Sequence, residues 1–282
     1  DYQYFRDFAE NKGKFTPGAQ NIEVVNKKGE SIGTMMQNAP MIDFSVVSRN
    51  GVAALVGDQY IVSVAHNVGY SGVDFGMEGS NPDQHRFGYN IVKRNNYKND
   101  STHPYMTDYH NPRLTKFVTE AAPIEMVSKM QGSTYGDLEK YPMRVRIGSG
   151  RQVVRDAQDK DTEVSGAYHY RTAGNTFMQG WANNGEVSLS GDVRYPNQYG
   201  PLPISGSSGD SGSPMFIYDK TAGKWLINGV LRSGHPYQGK ENTYQIARKN
   251  YLDEIIARDL VTVFEPTVAS YDWTADDNGK GK

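Results

Sequence analysis

Apolar residues along this chain come in short runs broken by Gly, Asn, Asp and Pro, and the spacing within each run predicts the element it forms. At the start, Tyr4, Phe5, Phe8 and Ala9 fall on one helical face and Gly13 ends the pattern, predicting a short helix. Residues 21–26 and 31–35 flank Lys28-Gly29 and read as a β-hairpin. Strand-sized runs follow at 42–47, 52–56, 60–65, 87–93, 144–154, 166–171, 214–218 and 225–231. Tyr251, Leu252, Ile255 and Ile256 then return to helical spacing, predicting a helix over 250–260. Thirty Gly and 13 Pro supply the turns, and no helical crossover separates the strands. The expected fold is mainly all-β, a barrel or sandwich pair, with a helix at each end.

Composition narrows the function. Thirty Lys+Arg stand against 32 Asp+Glu, a net charge of −2, which excludes an electrostatically driven nucleic-acid or anionic-membrane binder. A hydrophobic fraction of 37% with 11% aromatics excludes a disordered chain. No apolar run approaches the roughly 18 residues of a membrane span, and no charged-then-apolar leader opens the chain. With no Cys, disulfides, thiolate zinc sites and a Cys nucleophile are excluded; alone, this leans towards a reducing compartment. Asp156, Asp159, Asp161 and Glu163 do not match a calcium-loop spacing and read as a solvated loop. His103 and His110 read as surface residues, and 93–98 as a solvated basic turn. No metal or other cofactor is expected. The polar tail at 276–282 reads as a cut end or the start of a connection.

Three segments carry candidate chemistry, in the order His, Asp, Ser. In Ser207-Ser-Gly-Asp-Ser-Gly-Ser-Pro214, a Ser between Gly-Asp and Gly can sit on a tight bend with its hydroxyl exposed. The same bend lets the N–H groups of Gly209 and Ser211 converge on a developing oxyanion. His66 directly follows an apolar strand, a rigid position suited to a general base. A third group must orient it; Asp108 is the choice, with Asp100 and Asp74 as competitors.

These segments resemble the trypsin/chymotrypsin fold, whose triad runs in this order. Trp225-Leu-Ile-Asn-Gly229-Val-Leu-Arg-Ser-Gly234 is similar to that fold's Trp-x-x-x-Gly strand. The resemblance implies that Arg232, Ser233 and Gly234 pair with substrate backbone, and that Ser205, six residues before Ser211, sits at the base of the S1 pocket. An uncharged base there implies a small or apolar P1 residue. Phe5-Arg-Asp-Phe-Ala-Glu-Asn-Lys-Gly13, Pro40-Met-Ile-Asp-Phe-Ser-Val-Val47 and Gly209-Asp-Ser-Gly-Ser-Pro214 resemble the IgA1-protease family of autotransporter serine proteases. Residues 46–56, 59–67 and 81–86 look most like its adhesion-and-penetration branch.

That resemblance implies a double six-stranded β-barrel over 1–262, the barrels meeting at roughly 118–142, and a connection to a longer passenger at 263–282. It implies a protease exported through the periplasm and outer membrane to the bacterial surface, ahead of a β-helix and a translocator barrel. Its implied partners are protein substrates: its own passenger, cleaved between molecules, and host extracellular proteins. Absent Cys then fits a chain that threads a pore without disulfides formed on the way. The rival expectation is an adhesive domain with secondary or lost protease activity. Three departures stand out. Trypsin-type enzymes pair a released Ile-Val-Gly-Gly amine with the Asp before the nucleophile; this chain has no such segment, so Asp210 needs another partner. Ser213 stands where trypsin has a second Gly, and 156–194 has no counterpart in a minimal trypsin fold.

Overall fold

A computed structural model describes residues 2–76, 88–98, 107–163, 170–234 and 241–270. Helix α1 (Tyr2–Ala9) opens the chain and the hairpin β1 (Ile22–Val25) and β2 (Ser31–Met35) follows. Then come β3 (Ala54–Gly57), β4 (Tyr60–Val62), β5 (Gly72–Asp74), β6 (Gly88–Lys93) and β7 (Arg113–Leu114). The second half holds β8 (Arg144–Gly148), β9 (Val153–Arg155), β10 (Asp161–Glu163), β11 (Thr172–Asn175), β12 (Met178–Ala182) and β13 (Glu186–Ser190). It ends with β14 (Pro214–Asp219), β15 (Lys224–Gly234), β16 (Asn242–Ile246) and helix α2 (Lys249–Ser270).

Two antiparallel sheets carry the fold. A five-stranded sheet runs in the order β3-β4-β7-β6-β5 and a seven-stranded one β11-β8-β14-β15-β16-β13-β12. The mainly-β fold with a helix at each end is as the sequence predicts, with five and seven strands among the described residues. The first sheet packs Ala53, Leu55, Ile61, Val73, Phe75, Tyr89, Leu114 and Val118 into a core of its own. The larger core lies against the second sheet and takes in α1. Phe8 meets Phe44 at 5.7 Å between ring centroids, and Phe44 meets Phe216 of β14 at 6.0 Å.

Several elements differ from the hydrophobic pattern. Residues 42–47 form no strand but a 3₁₀ turn at Phe44–Val46, because Asp43 caps Ser45 N at 2.9 Å and the Asn11 side chain takes Phe44 N at 2.9 Å. The run 144–154 divides into β8 and β9, since Gly150 leaves the ladder to bond Asp210. Of 166–171, residues 166–169 lie outside the described residues, and the strand begins at Thr172. Helix α2 extends to Ser270, past the predicted end at 260. Strands β13 and β16 went unpredicted because their sequences are polar: β13 buries Glu186 and Ser188, and β16 buries Asn242, Thr243 and Gln245.

Candidate active site

Strand register brings the first two candidates together. Past the end of β4, Ser63 bridges His110 antiparallel, with N–H to O distances of 3.2 and 3.1 Å in the two directions. Antiparallel pairing at 63 and 110 sets the residues after Ser63 beside those before His110, so His66 arrives next to Asp108. One carboxylate oxygen of Asp108 accepts from His66 N at 2.8 Å and the other lies 2.7 Å from His66 Nδ1. Asp108 therefore holds both the main chain and the ring. The carboxylate can only accept, so Nδ1 carries the proton and Nε2 is left to accept from Ser211 Oγ, 2.8 Å away. The His66 side chain is 47% exposed, Asp108 only 16%: the imidazole meets solvent and the carboxylate beside it is shielded.

The competing acids are accounted for differently. Asp74 pairs with Arg49 at 3.0 Å. Asp100 lies outside the described residues, as do His103 and the tail at 276–282.

Ser211 is carried by a loop whose backbone is bonded at every other useful position. Asp210 N donates to Ser207 O (3.0 Å), Gly212 N to Leu231 O (2.8 Å) and Ser213 N to Asp210 O (2.9 Å). Among the described residues, the N–H groups of Gly209 and Ser211 donate to nothing, which leaves them available to an oxyanion. Gly209 has φ of 90° and Gly212 of 86°, a region that favours glycine. At Gly212 a Cβ would also strike Ser63 Oγ and Val52 O, so this loop lies directly on the other sheet.

Three supporting residues escaped the sequence reading. Asn67 Nδ2 donates to Ser211 O at 2.6 Å, tying the residue after His66 to Ser211. Arg94, expected in a solvated turn, instead donates from Nη2 to Asn67 O at 2.7 Å and Ala65 O at 3.3 Å, bracing the His66 segment. Arg146 on β8 is 2% exposed and reaches the nucleophile loop. Burial works against its charge, but the Asp210 carboxylate and Tyr244 outweigh that and raise its pKa. The sequence marks Arg146 only as unusual, because Arg144-Val-Arg-Ile sets two cations on one face of a core strand without naming their partners. His110, expected at the surface, is fully buried with Nε2 2.6 Å from the Tyr70 hydroxyl. Burial, with Arg94 nearby, lowers its pKa to about 3, and burial raises Tyr70 to about 12.

The pocket candidates lie around β15. Ser205 Oγ is 3.3 Å from Asn242 Oδ1, which also accepts from Gly206 N at 2.7 Å. Arg232 sits at a bulge, and its side chain bonds Glu186 at 2.8 Å. Ser233 and Gly234 pair with Thr243 and Asn242 of β16 on one side. On the other, β14 pairs only as far as Val230, so among the described residues this edge has no strand beyond Leu231. In the four-acid loop, Asp159 pairs with Arg194 at 2.6 Å and Glu163 with Arg151, both acids remaining open to solvent. Among the described residues no cluster of His or acids could hold a metal, and no helix is long and apolar enough to cross a membrane.

Residues 1–250 match the profile of the immunoglobulin A1 protease family. The chain is 68% identical over 283 residues to an adhesion and penetration protein autotransporter of Haemophilus influenzae, across 100% of this chain and 20% of that protein. It is 35% identical over 319 residues to an immunoglobulin A1 protease autotransporter of the same species, across 97% of this chain and 19% of the relative. The chain thus spans about a fifth of the relatives it matches. The crystal structure of the Haemophilus influenzae Hap adhesin superposes with a TM-score of 0.84 at 69% identity, over 92% of this chain and 27% of that one. With most of its length matched by the profile and a relative 68% identical along all of it, the chain belongs to the immunoglobulin A1 protease family.

Proposed function

We propose that this chain is a serine endopeptidase in which Ser211 attacks a peptide carbonyl. His66 takes the Ser211 proton and returns it to the leaving amine, while Asp108 holds the ring and stabilises its charged form. The Gly209 and Ser211 N–H groups bind the oxyanion. The observation that carries this reading is the continuous Asp108–His66–Ser211 chain, at 2.7 and 2.8 Å. Substrate adds as a strand alongside β15, along the backbone of Arg232, Ser233 and Gly234. Around Ser205 the Asn242 amide and Gly206 are uncharged, which favours a small or apolar P1 side chain over Lys or Arg.

Residues 1–262 form the catalytic unit, and 263–282 lead into a longer passenger. The autotransporter names of the relatives support export to the bacterial surface. There, cleavage between molecules frees the passenger. Host extracellular proteins are the second substrate class. The test is hydrolysis of a fluorescently labelled, denatured protein: the wild-type chain cleaves it and Ser211→Ala does not. Equal cleavage by both, or by neither, contradicts the reading. A second reading, an adhesive domain, is favoured by the adhesion and adhesin names among the relatives. It requires that Ser211→Ala bind host surfaces as well as wild type does while cleavage is absent from both.

A further inference from the structure

Asp210 adjoins the nucleophile and is 2% exposed, and a buried carboxylate persists only if its oxygens are bonded. One oxygen accepts from Gly150 N at 2.9 Å and lies 3.3 Å from Arg146 Nη2; the other accepts from Ser207 N at 2.9 Å. Arg146 reaches further. Nη2 donates to Ser213 Oγ at 2.9 Å and Nη1 to Ser205 O at 3.3 Å. A single guanidinium thus touches the nucleophile loop before, beside and after Ser211. The neighbouring chain is shaped for this contact. At Gly148 and at Gly150, a Cβ would fall on the Asp210 carboxylate.

We infer that Arg146 is the positioning residue that holds the 205–213 loop in its working shape, so that the oxyanion donors form on folding, with no chain-terminal amine needed to pair with Asp210. The inference rests on the protease reading. Its physical basis is the cost of an unpaired buried charge. Without Arg146, the Asp210 carboxylate must take a proton or turn to solvent, and either movement rotates the adjoining Gly209–Ser211 peptides away from the oxyanion. The His66–Ser211 bond involves neither residue and survives. A lysine would restore the charge but not the fork that spans Ser205, Asp210 and Ser213.

The experiment measures kcat and KM on one peptide substrate for wild type, Arg146→Met, Arg146→Lys and the double variant Arg146→Met/Asp210→Asn. Arg146→Met should lower kcat about 10²- to 10³-fold, as the loss of an oxyanion donor does, with KM within about threefold. Arg146→Lys should recover part of kcat. The double variant should exceed Arg146→Met, because its buried charge is gone, a coupling that a merely structural role would not produce. A folded Arg146→Met with wild-type kcat overturns the inference. A second arm does not depend on how these variants fold: residues are fused ahead of Asp1 in the wild-type chain. A kcat within about twofold of the unextended chain supports the inference, and a hundredfold loss assigns the task to a terminal amine and overturns it. Absence of activity in wild type itself would instead strike the protease reading.

Discussion

His66 and Asp108 extend from a five-stranded sheet whose core is built from Leu55, Ile61, Val73, Phe75 and Leu114. Ser211 rides on a loop against a seven-stranded sheet that buries Arg144, Arg146, Tyr244 and Asp210. The two regions fix their catalytic candidates by different means. On the first sheet, backbone pairing at Ser63 and His110 continues the ladder almost to His66, so register alone brings base and acid together. On the second, Ser211 sits between Gly209 and Gly212, both with φ near 90°, and the β14–β15 ladder, continued by Leu231 to Ser213 and Gly212, does not reach the residues before Ser211. A buried ion pair and side-chain hydrogen bonds replace it. The lesson is that strand pairing carries most of the placement where a catalytic candidate sits at a strand end, whereas a loop relies on buried charge.

The comparison can be broken most severely at its junction. Ser211→Ala and His66→Ala should each lower kcat about 10⁴- to 10⁶-fold, although they belong to different sheets, because triad members act as a unit. Peptide hydrolysis checks this; a single variant retaining a tenth of the rate would separate the two regions functionally. Next in size is Asp108→Asn, expected to cost about 10⁴-fold. Asp74→Asn should stay within about threefold, since that carboxylate serves Arg49. Asn67→Ala and Arg94→Ala remove the braces around His66 and should cost about tenfold to a hundredfold in kcat, the scale of a small misplacement.

Stability draws the same contrast. Leu55→Ala, in the apolar core, should cost about 2–5 kcal/mol by urea unfolding while the remaining folded protein keeps its kcat. A pH slope, smaller per unit, draws it as well. His110 titrates near 6.5 when unfolded but is held to about 3 when folded, chiefly by burial. Between those values the unfolded chain binds a proton that the folded chain does not. Stability from this group is therefore full above about pH 6.5 and falls as pH drops, by about 1.4 kcal/mol per unit. His110→Gln should remove that component from urea midpoints measured across the range.

Much of this was legible in the sequence where local pattern and local structure agree. The hairpin at 21–35, the strands at 214–218 and 225–231, and the helical face of Phe8 and Ala9 follow from periodicity. The His66 and Ser211 candidates were legible because a Gly-Asp-Ser-Gly bend and a His at a strand end are local signals; Asp108 was one of three candidate acids, and strand register sets it beside His66. The supports were not, since each joins residues far apart in the chain: Asn67 acts across 144 positions on Ser211, and Arg146 across 67 on Ser213. The same reason hid β13 and β16, whose polar side chains are buried only because Glu186 meets Gln245 and Arg232. Asp210 was the exception, as its need for a partner showed in the sequence while the partner's identity required the fold.

The central claim is that Ser211 is an activated nucleophile beside a formed oxyanion hole. Fluorophosphonate labelling of the folded wild-type chain, with the adduct mapped by mass spectrometry, tests it most directly. The account predicts one adduct, on Ser211, abolished in His66→Ala and in heat-unfolded protein. No labelling of folded wild type, or an adduct on another serine, would contradict it.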